Sequence, residues 1–471
     1  MKKIYSVVAV IHLSALAALT ADPSLTIYNQ NFAVVRDSVG LDLKSGVNEV
    51  RFTGATAHLE PDSVILRDPA GKRSLQILEQ NYRNDPVSEP LLLSLFEGKT
   101  IDFLDTRMKD NTQIRELIPG KIIRSGYVPG GGGGEQPIIE VDGKVRFSLP
   151  GQPLFPSLGD DTVLKPTLHW LLRADKPGQF DAEVSYVTGG FSWEADYNLV
   201  APEKGDAVDI IGWITMNNQS GRVFENAKIK LMAGDVNKLQ PQNRPAALGA
   251  VRRAMLADAS EAVVSEKSFD EFHLYTLARA TTLRDRETKQ VEFVRAEGVK
   301  AQTIFVYDGA QGYGYGFYGG LNNDRNYGTQ CNKKVWVMRE FVNAETNHLG
   351  IALPKGKLRF YRRNDDGQLE FTGENEIDHT PRNETIRVTT GNAFDLVGER
   401  KQTDFRTDRS DKWIDETFEI KLRNRKKEAA DFRVVEHLYR WNNWKLTTQS
   451  DDFKKTDAQT IEFRVTVKPD E

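Results

Sequence analysis

Apolar and polar residues alternate along most of this chain, and this period of two constrains the fold more than any other feature. In one stretch Ala227, Ile229 and Leu231 alternate with Lys228 and Lys230. Successive side chains of a β-strand point to opposite faces, so the pattern predicts strands with one buried and one solvated face. Outside one insert, no long stretch has the 3.6-residue period of a helix. We therefore expect an all-β protein built of multidomain antiparallel β-sandwiches.

The size and composition of the chain limit its function class. Its 471 residues exceed what one compact core usually holds, which favours two or three domains. The 63 basic and 67 acidic residues nearly cancel, so no bulk charge would attract nucleic acid. Cys331 is the single cysteine, which excludes an intrachain disulfide and a thiolate metal cage. Since no histidine is near it in sequence, we interpret Cys331 as a small buried residue rather than a nucleophile.

The N-terminus has the pattern of a secretory signal peptide. Two lysines precede an apolar run over residues 4–19, which ends among small residues. A transmembrane anchor is the alternative, but the run is short and is interrupted by His12 and Ser14. We predict a signal peptide over residues 1–21, no transmembrane span in the mature chain, and a periplasmic or extracellular location.

Changes in the length and spacing of the predicted strands divide the rest of the chain into four predicted domains. The central one includes an alanine-rich helical excursion and a segment rich in glycine and tyrosine. The predicted divisions are an N-terminal β-sheet domain over 22–90, an inserted small β-barrel over 91–158, a central β-sandwich over 159–338 with the excursion at 239–268 and the glycine–tyrosine segment at 309–328, and a C-terminal β-sandwich over 339–471.

Five very short apolar runs in the insert have the spacing of a small barrel. Asp142 and Gly143 form a pair that favours a tight hairpin with positive φ at both residues. Residues 130–134 are all glycine and predict a loop. The predicted strands are Leu91–Phe96, Lys99–Leu104, Lys121–Ser125, Ile138–Val141 and Lys144–Ser148.

Four segments resemble the mucoidy-inhibitor-like family of bacterial exported proteins, whose C-terminal part is a domain of unknown function. They are Tyr186–Tyr197, Phe269–Leu277, Ile377–Pro381 and Val435–Trp441, in that order along the chain. The resemblance runs from about Leu25 to the C-terminus. Many family members have a long coiled coil where this chain has its insert, so a role tied to a coiled coil is not carried over. The resemblance implies an exported envelope protein and brings no catalytic residues with it.

Three histidines in these segments are weak candidates for metal ligands. A zinc site needs three or four ligands around one point. Glu271 and His273 share one face of a predicted strand, and His379 or His437 could join them through folding. The alternative is that each histidine is a hydrogen-bonded structural residue.

The glycine–tyrosine segment is the most unusual stretch of the chain. Glycine permits close approach of the backbone, and tyrosine offers a flat apolar face with a polar tip, which suits contact with a protein or a glycan. The alternative is a strand connection whose rings fold back onto the edge of the sandwich. The candidate binding residues are Tyr313, Tyr315, Phe317, Tyr318 and Tyr327.

No catalytic motif is complete in this sequence. The stretch from Gly190 to Trp193 begins like a nucleophile elbow, but Glu194 stands where the final glycine is required. We interpret it as a turn whose Trp193 and Tyr197 pack into a core. The sequence therefore favours a noncatalytic envelope protein, without a cofactor, that recognises a protein or glycan partner or associates with itself. The alternative is an exported, metal-assisted hydrolase.

Overall fold

The computed structural model describes residues 22–84, 87–109, 112–128, 135–156, 158, 163–234, 236–238, 264–269, 272–311, 322–408, 412–441 and 443–471. The predicted signal peptide and the glycines at 130–134 lie outside the described residues. Most of the predicted excursion, 239–263, also lies outside them. The predicted helical character of the excursion is wrong at its end, because residues 264–268 belong to a strand.

The prediction of an all-β protein is confirmed, with 61% of the described residues in strands and 3% in helix. The elements of the N-terminal half and the insert are β1 (Ser24–Tyr28), β2 (Phe32–Leu43), β3 (Gly46–Phe52), a 3-10 turn (Pro61–Ser63), β4 (Ile65–Arg67), β5 (Leu75–Arg83), α1 (Glu89–Leu95), β6 (Thr100–Lys109), β7 (Thr112–Arg124), β8 (Ile138–Val141), β9 (Lys144–Arg146), β10 (Gln152–Leu154), β11 (Thr167–Ala174), β12 (Gly178–Gly189), β13 (Phe191–Ala201), β14 (Ala207–Asn218) and β15 (Phe224–Ala233).

The C-terminal half continues in the same manner. Its elements are β16 (Val264–Phe269), β17 (Phe272–Leu277), β18 (Thr281–Leu283), β19 (Glu287–Lys300), β20 (Gln302–Asp308), β21 (Lys334–Val342), a 3-10 turn (Glu345–Asn347), β22 (Gly356–Arg363), β23 (Leu369–Ile377), β24 (Thr385–Thr407), β25 (Ile414–Asn424), β26 (Ala430–His437), β27 (Phe453–Lys455) and β28 (Thr460–Val467).

These strands form five sheets. The N-terminal sheet has the order β16-β17-β15-β1-β2-β12-β4, with β18 also paired to β15. The small sheet is β3-β11-β5, the insert sheet is β10-β6-β7-β8-β9, and the central sheet is β19-β14-β13-β22-β23. The C-terminal sheet is β25-β24-β21-β20-β26-β28-β27. Most pairings are antiparallel, as predicted, but β1 with β15, β13 with β22 and β20 with β26 are parallel.

The N-terminal strands share a sheet with strands of the predicted central domain. Leu25 of β1 is opposite Ile229 of β15, and β2 pairs along its whole length with β12. Strands on both sides of the predicted domain boundary near residue 90 therefore pair in one sheet. The chain passes from the N-terminal sheet to the central sheet at Gly190, whose φ is +81°. A Cβ atom at Gly190 would lie 2.9 Å from the carbonyl oxygen of Gln219, so this crossing requires glycine.

The largest core lies between the N-terminal, small and central sheets, and residues of the first three family-like segments form part of it. Trp193 and Tyr197 are 4% and 2% exposed, as the sequence predicts. The Trp193 ring packs against that of Tyr275 at 6.1 Å between centroids. The Tyr197 hydroxyl donates to the carbonyl of Pro354 at 2.7 Å, and burial raises the pKa of Tyr197 well above its usual value. These aromatic residues therefore hold the sheets together.

The insert begins with a helix, so the predicted strand Leu91–Phe96 is wrong. The Ser88 side chain accepts a hydrogen bond from the Leu91 amide at 3.3 Å and caps α1, and Pro90 occupies a first-turn position that suits proline. An apolar run of this length fits a short strand or a short helix equally well, and the cap decides between them. The helix buries Leu92 and Leu93.

The insert sheet carries its own small core around Phe103, Ile122 and Ile139. Its end strands β9 and β10 are not paired with each other in the described part of the insert. The predicted hairpin between β8 and β9 is present, with φ of 50° at Asp142 and 71° at Gly143. In the described residues, no helix is long and apolar enough to span a membrane.

Candidate functional site

Two candidate segments of the sequence leave the C-terminal sheet at the same edge. Strand β20 ends at Asp308, where the glycine–tyrosine segment begins, and β26 ends at His437. The two strands are parallel neighbours, with Asp308 opposite Val435. Because carboxyl ends of parallel strands meet at one edge of a sheet, the residues after 308 and after 437 start side by side.

Arg440 holds the second half of the glycine–tyrosine segment. Its guanidinium donates to the carbonyl oxygens of Asn322 at 2.9 Å, Asp324 at 2.7 Å and Tyr327 at 2.9 Å. Its Nε atom donates to the Glu416 carboxylate at 2.8 Å. The Arg440 side chain is buried and its guanidinium lies 5.7 Å from the centroid of the Tyr327 ring. A planar donor fork of this kind holds several backbone acceptors at once.

A second buried arginine holds the same segment further along. Arg400 pairs with the Glu436 carboxylate, with Nε 2.8 Å from Oε2, and it also donates to the Gly328 carbonyl at 2.5 Å. Burial disfavours the charged guanidinium, but the hydrogen bond and charge of Glu436 outweigh it and raise the pKa of Arg400. Cys331 is half-buried, and its thiol donates to the Arg400 carbonyl at 3.0 Å.

Asn332 ties the two ends of the segment together. Its side-chain amide donates to the carbonyls of Asp308 at 2.9 Å and Gln311 at 3.0 Å, and its backbone N–H donates to Gly309 at 3.0 Å. The hydroxyl of the buried Tyr307 donates to the Asn332 carbonyl at 3.0 Å. Residues 312–321 are therefore bracketed by ends that are fixed to each other.

His437 lies at the base of this site, where its ring is hydrogen-bonded. Its Nε2 atom is 2.9 Å from Asp308 Oδ2, its Nδ1 atom is 3.3 Å from the Thr460 hydroxyl, and it stacks on Tyr439 at 4.8 Å between centroids. Burial lowers the pKa of His437, but the Asp308 hydrogen bond and the charges of Asp308, Glu436 and Asp457 outweigh it, so the pKa is raised.

The hydrogen-bond partners of His437 fix the orientation of its ring. Nε2–H donates to the Asp308 carboxylate, and Nδ1 lies beside the Thr460 hydroxyl. A histidine oriented by a carboxylate is either a structural residue or a candidate general base.

The other predicted metal ligands are engaged separately. His273 Nδ1 lies 2.7 Å from Glu266, and this hydrogen bond, opposed by burial, lowers the pKa of the Glu266 carboxyl. His379 Nδ1 accepts from the Lys355 amide at 3.0 Å. Glu271 lies outside the described residues. Within the described ranges, no three His, Cys, Asp or Glu side chains form a group that could hold a metal ion.

The structure places one of the five predicted aromatic binding residues. Tyr327 is half-buried against Arg440, whereas Tyr313, Tyr315, Phe317 and Tyr318 lie outside the described residues. Their role in binding stays a prediction.

Sequence reasoning missed the residues that hold the segment, although part of the signal was present. Arg400 occupies the same strand face as Leu396 and Gly398, and Glu436 occupies that of Phe432. A charged residue at an apolar position of an alternating strand predicts a buried ion pair, because an unpaired charge there costs too much free energy. The sequence gives no such indication for Arg440. Three of its acceptors are backbone carbonyls, which every residue has, so no residue type marks them as partners.

Comparison with known proteins adds no relative. No protein-family model matches this chain, and no curated protein matches it. The resemblance to the mucoidy-inhibitor-like family therefore stays a prediction from the four sequence segments.

Proposed function

We propose that this chain is a noncatalytic, exported cell-envelope protein that acts by recognising, or assembling with, a protein or glycan partner through residues 309–328. One observation carries the proposal: Arg440, Arg400 and Asn332 all direct donors at backbone carbonyls of this one segment. Two buried arginines would not be needed to tether an ordinary strand connection.

The physical argument is one of preorganisation. Ordering a loop at the moment of binding costs conformational free energy for every residue fixed. Here the ends of the segment are held before any partner arrives, so less of that cost is left for binding. Tyrosine and glycine then suit the contact itself, since a ring contributes a large area for the loss of only two torsions.

Export is the second part of the proposal. It is supported by the charged, apolar and small-residue pattern of residues 1–21 and by the resemblance to a family of exported proteins. Cell fractionation of a strain that expresses the full chain tests it directly. We expect a shortened chain outside the cytoplasm, and a full-length cytoplasmic chain would contradict the proposal.

The recognition test replaces Tyr313, Tyr315, Phe317 and Tyr318 together by serine in residues 22–471. A partner captured from the envelope by the wild-type chain is identified and purified, and its affinity is measured for both chains. We expect the serine variant to lose at least tenfold in affinity. Tyr361→Ser, which changes an aromatic residue of the central sheet, is the matched control. Equal affinity of all three chains would refute a recognition role for the segment.

An exported hydrolase is the second candidate, and the Asp308–His437 pair favours it. A carboxylate 2.9 Å from an imidazole at the end of a strand is a common way to orient a catalytic histidine. Native mass spectrometry of protein purified without chelators and the activity of His437→Gln test this candidate. A stoichiometric metal ion, or a hydrolysis lost in His437→Gln, would favour the hydrolase over the recognition protein.

A further inference from the structure

An open depression lies at the edge of the C-terminal sheet, close to β27. Its volume is about 430 Å³, and it is lined by Asn443, Trp444, Lys445 and Lys455. This volume falls within the range of about 300–1,000 Å³ that is usual for small-ligand sites. Lys455 is the last residue of β27, and the other three residues belong to the loop that precedes this strand.

The Trp444 ring is held in one orientation. Its indole N–H donates to the carbonyl of Ala458 at 2.8 Å, in the connection between β27 and β28. The Lys455 ammonium lies 4.9 Å from the centroid of the ring. A ring that is already fixed loses little torsional freedom when a ligand packs against it.

The two lysines give the depression positive charge that is not paired with a carboxylate in the described part of the chain. Both Lys445 and Lys455 are exposed, and neither forms an ion pair with any carboxylate of the described chain. The Lys455 ammonium rests on the indole instead, which is a weaker interaction than a charge-assisted hydrogen bond to an anion. An anionic ligand would therefore gain the ammonium groups as partners.

We propose that this depression binds an acidic sugar residue of a glycan. The C–H face of the sugar packs against the Trp444 indole, the carboxylate meets the ammonium groups of Lys445 and Lys455, and the Asn443 amide pairs with a hydroxyl. The assignment rests on the proposed function, of which it names one class of partner. The flat face of the Trp444 indole favours packing against a sugar ring. The positive charges of Lys445 and Lys455 favour an acidic sugar over a neutral one.

The depression and His437 are linked through the connection between β27 and β28. The Leu438 amide, directly after His437, donates to the carbonyl of Gln459 at 2.7 Å. The neighbouring carbonyl, that of Ala458, accepts from the Trp444 indole N–H. A glycan lying in the depression would therefore be near the sheet edge at which β26 ends.

Isothermal titration calorimetry of residues 22–471 tests the proposal. The probes are trigalacturonate, the neutral trisaccharide maltotriose and glucose 6-phosphate. We expect trigalacturonate to bind at least tenfold more tightly than maltotriose, and Lys455→Gln to weaken it about tenfold through loss of one charged contact. Trp444→Leu is expected to weaken it by a similar factor. Tighter binding of glucose 6-phosphate than of trigalacturonate would overturn the assignment to a carboxylated sugar.

Two matched variants control for charge and for the aromatic ring. Lys454→Gln removes a neighbouring lysine that is opposite Glu462, and Trp413→Leu removes a tryptophan that is 51% exposed at the start of β25. Both are expected to bind trigalacturonate like the wild type. An absence of binding by the wild type, or an equal loss in Lys454→Gln and Lys455→Gln, would overturn the proposal.

The same titrations separate this site from the proposed recognition segment. The serine variant of residues 313–318 should keep its affinity for trigalacturonate, because the proposed contacts are made by Asn443, Trp444, Lys445 and Lys455. If trigalacturonate fails to bind while partner binding still depends on the segment, only the acidic-sugar site is refuted. If trigalacturonate binds but the segment has no effect on any partner, the proposed recognition role is refuted instead.

Discussion

Replacing Arg440 by lysine should release residues 322–327 from the C-terminal sheet. Lysine keeps a positive charge near Glu416 but presents a single point charge in place of a planar fork. It therefore cannot reach the carbonyls of Asn322, Asp324 and Tyr327 together, which Arg440 contacts at 2.7–2.9 Å.

The size of the effect follows from these contacts. A hydrogen bond from a charged donor contributes about 1.5 kcal/mol net, and we expect lysine to lose two of the three. The free energy of local opening should then fall by about 3 kcal/mol, which corresponds to a roughly hundredfold larger open population. Fixing the backbone of six residues costs on the order of 6 kcal/mol in conformational entropy. Losing about 3 kcal/mol of hydrogen bonding against this cost should leave the segment only marginally ordered.

Hydrogen–deuterium exchange measured by mass spectrometry on peptides covering 322–333 is the direct assay. The Tyr327 amide bonds Asp324 at 3.0 Å and the Thr329 amide bonds Asn326 at 3.3 Å, so protected amides report on the opening. We expect exchange of these peptides to accelerate about hundredfold in Arg440→Lys, with peptides of the N-terminal sheet unchanged.

Arg425→Lys is the matched control for this experiment. Arg425 is exposed and caps a single carbonyl, that of Asp470, at 2.8 Å. Its replacement should change stability by less than about 0.5 kcal/mol and leave the exchange of 322–333 unaltered. Unchanged protection of these peptides in Arg440→Lys would refute the argument that its carbonyl contacts hold the segment.

Three further substitutions test the interior of the C-terminal sheet. Glu436→Gln leaves the buried Arg400 without a counter-charge and should cost about 3–5 kcal/mol in urea denaturation, and a loss below about 1 kcal/mol would show that the pair is hydrated. Gly398→Ala would place a Cβ 2.1 Å from the ring of the fully buried Tyr307 and should cost at least about 1–3 kcal/mol, whereas an unchanged denaturation midpoint would mean that the ring can move. The raised pKa of His437 means that its charged form stabilises the fold fully below its unfolded pKa of 6.5, and this contribution is lost as pH rises through the higher folded pKa. The stability advantage of wild type over His437→Gln should therefore be larger at about pH 5.5 than at about pH 9, and equal differences at both values would contradict this assignment.

Local patterns were sufficient to predict the all-β class and the buried face of individual strands. Ala227 and Leu231 are buried in β15 and Lys228 is exposed, as the alternation predicts. The pattern was insufficient at Leu91–Phe96, where a short apolar run fits either element and the capping side chain decides.

The candidate site was predictable only as separate parts. Tyr327 and His437 were each singled out from the sequence, but 110 positions separate them and no local pattern relates them. The parallel pairing of β20 with β26 brings their segments to one sheet edge. The separation of His273 and His437 has the same origin, since β17 and β26 belong to different sheets.

The sequence by itself determined that the chain is all-β and which face of strands such as β15 is buried, because steric preference and hydrophobicity act between near neighbours along the chain. Only the tertiary structure decided which strands pair, and so which strand ends meet. That choice depends on the sum of many weak contacts between residues far apart, such as Leu25 with Ile229. The carbonyls that accept from Arg440 show what the sequence alone cannot predict. Every residue has such an acceptor, and only the fold brings these few to one guanidinium.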